Sequence, residues 1–64
     1  MLTNSRDIIR RLLQDGFERK SVAGSHHKYV HRQKRLVAIV PHPKRDLPIG
    51  TVRRIYKDAG WAKD

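Results

Sequence analysis

Apolar residues recur every three to four positions near the start of this 64-residue chain, in "TNSRDIIRRLLQDG" (3–16). This spacing is typical of an amphipathic helix with one core-facing side. The apolar positions that fall on that side are Ile8, Ile9, Leu12 and Leu13. Asn4 or Ser5 can cap the start of the helix, and Gly16 ends it.

A second helical pattern begins near Ile49 and ends at Gly60. The loop before it follows Pro41 and contains Pro43 and Pro48. The positions at core spacing in this helix are Val52, Ile55, Tyr56 and Ala59. The two helices therefore lie at opposite ends of the chain.

Three short segments of strand character lie between the helices: "FERKSV" (17–22), "HHKYVHR" (26–32) and "RLVAIV" (35–40). Their connections are "AGS" (23–25) and the two-residue "QK" (33–34), which lacks the Gly or Asn common in tight turns. Short connections predict an antiparallel meander. We expect one α+β domain over 1–64 in the order α-β-β-β-α, with both helices on one face of a three-stranded sheet, as in double-stranded RNA-binding domains.

The chain is strongly basic, with 15 Lys and Arg against 6 Asp and Glu and a formal net charge of +9. Such a charge attracts polyanions, so nucleic acid is the favoured partner, although charge alone does not separate a binder from a nuclease. The sequence has no cysteine, and its longest apolar run is far shorter than the roughly 20 residues of a membrane helix. We expect a cytoplasmic protein without membrane contact.

Basic residues concentrate around the start of the second helix. Lys44 and Arg45 precede it, and the amides of Gly50 and Thr51 lie in its first turn, where a phosphate can bind. Arg53 and Arg54 follow on its outer side. We interpret Lys44, Arg45, Arg53 and Arg54 as a clamp for backbone phosphates, the alternative being an ordinary solvated face.

Three of the four histidines lie in "GSHHKYVH" (24–31). Since side chains alternate along a strand, His26 and Lys28 should face solvent while His27 should face the helices. A metal site is not favoured, because the histidines have no cysteine or acidic cluster beside them. On these grounds alone, His26 can be either a structural residue or a proton-transfer group.

The segments "SRDIIRRLL", "GF", "GSHHKY" and "VPHPKRDLPIGTVRRIYKDAGW" occur in an order and at separations that resemble the HicA toxins of bacterial toxin-antitoxin systems. The resemblance extends from Ser5 to Trp61. It implies a toxin that cleaves mRNA using the histidine after a Gly-Ser pair, here His26 after Gly24 and Ser25. We expect no cofactor. It also implies a HicB antitoxin that binds the toxin and covers that histidine. We expect the toxin by itself to be monomeric.

RNA cleavage without a metal needs a base for the ribose 2′-hydroxyl, an acid for the leaving oxygen and positive charge near the phosphate. His26 suits either proton role, and Lys28 and Arg32 can supply charge. Ser25 can bond a phosphate oxygen or simply form the turn, and Gly24 can supply a positive φ or a close approach to substrate. The second proton carrier stays open among His27, His42 and water.

Two other functions fit the same charge pattern. The first is a non-catalytic module that binds double-stranded RNA or DNA, and the second is an interaction subunit for an acidic protein. The strand "LVAIV" (36–40) is apolar on both faces, so one set of its apolar side chains must point away from the helices. That outward set is a candidate contact surface for a protein partner. We expect Val37 and Ile39 to point outward, either screened by long basic side chains or covered by an antitoxin.

Overall fold

The computed structural model describes residues 1–62 and contains two helices and one antiparallel sheet. The elements are α1 (Ser5–Gln14), β1 (Glu18–Ala23), β2 (His26–His31), β3 (Leu36–Pro41) and α2 (Ile49–Ala59). Neighbouring strands pair in the order β1-β2-β3. The predicted α+β fold in the order α-β-β-β-α is therefore confirmed. None of the helices in this described part has the length and apolar content to cross a bilayer.

Helix α1 begins at a side-chain cap, as predicted. The Oδ1 atom of Asn4 accepts a hydrogen bond from the Arg6 amide at 2.9 Å. Ile8 and Leu12 are completely buried, but the prediction that Leu13 also faces the core is wrong, because that side chain is 53% exposed. With about 100° of rotation per residue, Leu13 lies about 140° around the helix from Ile8 and turns away from the core.

Helix α2 has the predicted bounds and the predicted core face. Its four apolar positions are all buried: Val52, Ile55, Tyr56 and Ala59. Gly60 follows in the left-handed conformation with φ of 75°, and its amide donates to the Lys57 carbonyl at 3.1 Å. A glycine takes this conformation without the steric penalty of a Cβ, which explains why the helix stops there.

The turn between β2 and β3 differs from the prediction. It comprises four residues, 32–35, rather than the two of "QK". A two-residue hairpin turn needs positive φ at positions where Gln33 and Lys34 are unfavourable. The longer turn instead places Arg35 at φ of 55°, with its amide donating to the Arg32 carbonyl at 3.3 Å.

The two faces of the sheet have different surroundings. Tyr29, Ala38 and Val40 point into the core, whereas Val37 and Ile39 are 46% and 50% exposed. The predicted outward orientation of Val37 and Ile39 is confirmed. These two residues pair across the sheet with Val30 and Lys28, so the outward face continues onto β2.

His31 is a structural residue beneath the turn. Its ring is 7% exposed and meets Phe17 edge-on at 5.2 Å. The Nδ1 atom accepts from the Lys34 amide at 3.2 Å, which leaves Nε2–H to donate to the Asp15 carbonyl at 3.1 Å. Both ring nitrogens are therefore occupied by backbone groups, which ties the end of α1 to the β2–β3 turn.

Candidate functional site

A groove of about 710 Å³ lies over the outward face of the sheet and is bordered on one side by α2. Its sheet residues are Ser21, Ala23, His26, Lys28, Val37, Ile39 and Pro41. Its helix residues are Thr51, Arg54, Ile55 and Asp58. Because α2 packs along β3, the flank of the helix forms a wall beside a face that would otherwise be open.

His26 occupies the end of this groove because of the turn that precedes it. Gly24 takes φ of 59°, a conformation that glycine adopts without steric penalty, and a Cβ built there would meet no protein atom within 4 Å. Its neighbour Ser25 accepts from the His42 amide through its carbonyl at 2.7 Å, which fixes the turn to the end of β3. His26 follows as the first residue of β2 and is exposed on the outward face, as predicted.

Two cations border the groove near His26. Lys28 lies two residues further along β2 on the same face, and Arg54 comes from the helix wall. The Arg54 Nε atom is 3.8 Å from the Asp58 carboxylate, but the arginine side chain is 82% exposed, so this pair constrains it weakly. A phosphate in the groove would therefore meet one cation from the sheet and one from the helix, beside the single carboxylate of Asp58.

The other predicted cations lie elsewhere. Arg53 is exposed on α2 and does not line the groove. Arg32, expected to lie beside His26, is in the β2–β3 turn and pairs with Glu18 at 3.6 Å. The reason is the length of β2, since its six residues from His26 to His31 place Arg32 at the far end of the sheet.

Lys44 and Arg45 line a second cavity of about 310 Å³ beside the start of α1. The backbone there is tied to the helix, because the Ser5 amide donates to the Lys44 carbonyl at 2.9 Å. The Lys44 amide in turn donates to Ser5 Oγ, also at 2.9 Å. The structure thus divides the predicted phosphate clamp between two cavities, with Arg54 in the groove and Lys44 and Arg45 in the second.

The sequence of this fold matches a known protein family. The family model described as "HicA toxin of bacterial toxin-antitoxin" matches residues 5–61, which include all five helices and strands. The chain belongs to the HicA toxin family. It is therefore a toxin of a bacterial toxin-antitoxin system. A search of curated proteins gives no significant match.

In this HicA-family protein, His27 and His42 do not line the groove of His26. Their rings meet edge-on at 5.0 Å, beside the second cavity, which His42 lines. The His42 Nδ1 atom is 2.7 Å from Ser5 Oγ. Ser5 Oγ also accepts from the Lys44 amide, so this hydroxyl joins the His42 ring to the loop after β3.

Two helix residues of the groove, Ile55 and Asp58, were not expected there from the sequence, whereas Thr51 was expected to contribute its amide. They share one side of α2 with Arg54, at spacings of three and four residues. The row of polar residues beside the apolar side of α2 was the sequence feature that could have indicated this wall of the groove. Among the residues described, no three His, Asp or Glu side chains are grouped to hold a metal ion.

A titration of the four histidines by nuclear magnetic resonance should show His27 with a midpoint below the ordinary value of 6.5. Desolvation lowers the pKa of His27, and the neighbouring His42 and Arg19 lower it further. Because the folded protein binds this proton more weakly than the unfolded chain, His27 should reduce stability as the pH falls below 6.5. A His42→Asn variant should move the midpoint upward. A His27 midpoint at or above 6.5 would contradict the assigned environment.

Proposed function

We propose that this protein is a metal-independent endoribonuclease that cleaves mRNA, with His26 as its proton-transfer residue. The observation that supports this function is the exposed His26 in a groove bordered by Lys28 and Arg54, on a chain with a net charge of +9. A strongly positive protein attracts polyanions such as RNA, and the two cations of the groove outnumber its one carboxylate, Asp58. The site therefore combines a group that can move a proton with a surface that attracts RNA.

The groove suits attack of a ribose 2′-hydroxyl on the adjacent phosphate. His26 accepts the hydroxyl proton as the 2′ oxygen bonds to phosphorus, and the bond from phosphorus to the 5′ oxygen then breaks. The leaving oxygen takes a proton from water, since neither His27 nor His42 lines the groove. Lys28 and Arg54 stabilise the negative charge that develops on the phosphate oxygens.

The start of α2 supports the same role. The amides of Gly50 and Thr51 have no backbone hydrogen-bond partner within the described part of the chain. Thr51 also lines the groove. Unbonded amides at the start of a helix favour an anion, so this turn can help to hold the RNA backbone as the sequence predicted.

The direct test is incubation of the purified protein with a defined mRNA in the presence of a chelator. We expect strand breaks without added metal, and growth arrest when the protein is expressed alone in a bacterial cytoplasm. Co-expression with a HicB-type antitoxin should restore growth. RNA that is bound but left intact would instead support the non-catalytic RNA- or DNA-binding module.

The antitoxin is proposed to cover the groove itself. Val37 and Ile39 form an exposed apolar pair on its floor, and Lys28 and Arg54 lie beside them. A partner with apolar and acidic side chains would complement both features and would block His26 without changing the fold of the toxin. In this proposal the toxin by itself is a monomer.

A double Val37→Thr and Ile39→Thr variant should bind the antitoxin at least about tenfold more weakly. Each side chain is about half exposed, so covering the pair contributes about 2 kcal/mol, which threonine largely removes while keeping the strand-favouring branched Cβ. Calorimetry measures the affinity, and RNA cleavage by the variant should change only a few-fold. The matched control is Val22→Thr, since Val22 is 47% exposed and does not line the groove. Unchanged affinity in a folded double variant would place the antitoxin on another surface.

A further inference from the structure

The cavity at the start of α1 brings together three basic side chains from two parts of the chain. Arg6 comes from the first turn of the helix, and Lys44 and Arg45 come from the loop after β3. All three residues are exposed, and none forms an ion pair with another described residue. The adjacent Asp46 does not line the cavity. Three like charges at one cavity repel one another, and a bound anion would relieve that repulsion.

The backbone that carries these cations is held in place by buried hydrogen bonds. Ser5 is 1% exposed, and its Oγ bonds both the Lys44 amide and the His42 ring. The Leu47 amide donates to the Thr3 carbonyl at 2.8 Å, which closes the other end of the loop. The three basic side chains therefore project from a loop and a helix turn whose backbones are hydrogen-bonded to each other.

The helix terminus itself contributes no unbonded amide at this cavity. The Arg6 amide donates to Asn4 Oδ1, and the amides of Asp7 and Ile8 donate to the Asn4 carbonyl at 3.0 and 3.1 Å. An anion would consequently be bound by the basic side chains. Arginine is well suited to this, because its planar guanidinium can donate two parallel hydrogen bonds to one phosphate.

The cavity lies at the same end of the sheet as His26, beside α1. Pro41 lines the groove and pairs with His26, and the next residues along the chain, His42, Pro43 and Lys44, line the cavity. Three residues of chain span at most about 10 Å. A nucleic-acid strand that passes His26 can thus continue into the cavity within a few nucleotides.

We infer that Arg6, Lys44 and Arg45 form a second phosphate-binding subsite, which holds the RNA backbone a few nucleotides from the phosphate beside His26. The inference rests on the proposed function, because it takes RNA as the substrate of the groove. Arg6 is thereby assigned a substrate-binding role that its position on α1 does not indicate. The subsite makes binding depend on the length of the RNA rather than on its base sequence.

The test compares two double variants that remove the same charge, both made with His26→Ala so that the RNA stays intact. One is Arg6→Gln with Arg45→Gln, and the control is Arg10→Gln with Lys34→Gln, whose exposed cations lie outside both cavities. Fluorescence anisotropy measures binding to a labelled single-stranded RNA of about ten nucleotides and to a dinucleotide, over a range of salt concentrations. Circular dichroism verifies the fold, and Lys44→Gln is the substitute if the first pair does not fold.

We expect the Arg6 and Arg45 pair to lower the salt slope for the longer RNA by about 1.4, since each phosphate contact on a single strand contributes about 0.7. The control pair should change that slope much less, and neither pair should alter binding of the dinucleotide. The subsite would be overturned if both double variants changed the salt slope for the longer RNA equally. It would also be overturned if the Arg6 and Arg45 pair weakened binding of the dinucleotide as much as binding of the longer RNA. Absence of cleavage by the protein with His26 intact, alongside the expected binding results, would overturn the nuclease proposal and leave the subsite standing.

Discussion

We expect His26→Ala to slow RNA cleavage by about 10² to 10⁴-fold while the protein stays folded. Loss of one proton-transfer group has an effect of this size because the reacting hydroxyl then has only solvent to take its proton. The fold should tolerate the change, since His26 is exposed and contributes nothing to the buried core. Surface substitutions of this kind typically change stability by no more than about 0.5 kcal/mol.

A gel assay on a defined RNA measures the rate, and circular dichroism measures folding. His27→Ala is the matched control, because it removes the neighbouring imidazole on the same strand but outside the groove. We expect the control to cleave at close to the normal rate. A folded His26→Ala protein with undiminished activity would remove this residue from the mechanism, and an equal loss in both variants would argue against opposite faces for the two histidines.

Leu12→Ala should destabilise the protein by about 2 to 5 kcal/mol, which is the second large effect that the structure predicts. Leu12 is 0% exposed and belongs to the one core cluster of the described residues. Its truncation removes apolar contacts and leaves a cavity that neighbouring residues fill only in part. A domain of this length has a total stability of roughly 3 to 10 kcal/mol, so a substantial fraction of the variant should be unfolded.

The adjacent Leu13 provides a matched control with the same chemical change. Its side chain is 53% exposed, so Leu13→Ala should lower the free energy of unfolding by about 1 kcal/mol or less. Urea denaturation followed by circular dichroism measures both values. Equal losses for the two variants would show that the α1 face is assigned wrongly.

The elements of this protein could be predicted because their signals are local. Asn4 caps α1 and Gly60 closes α2, each through bonds to residues within a few positions along the chain. The alternation along β2 was enough to separate His26 from its neighbour His27. The errors also had local causes: an apolar stripe wider than the buried face of α1 misplaced Leu13, and the turn after β2 needed more residues than its composition suggested.

The sequence by itself determined the α-β-β-β-α order, most core positions, the exposure of His26 and the family. Only the tertiary structure decided which charged residues share a cavity. Arg54 lines the same groove as His26 because α2 packs along β3. Lys44 lines the same cavity as Arg6 because hydrogen bonds join Ser5 to Lys44, 39 positions away. Such pairings depend on packing angles and on contacts distant in sequence, for which periodicity, capping and turn residues carry no information.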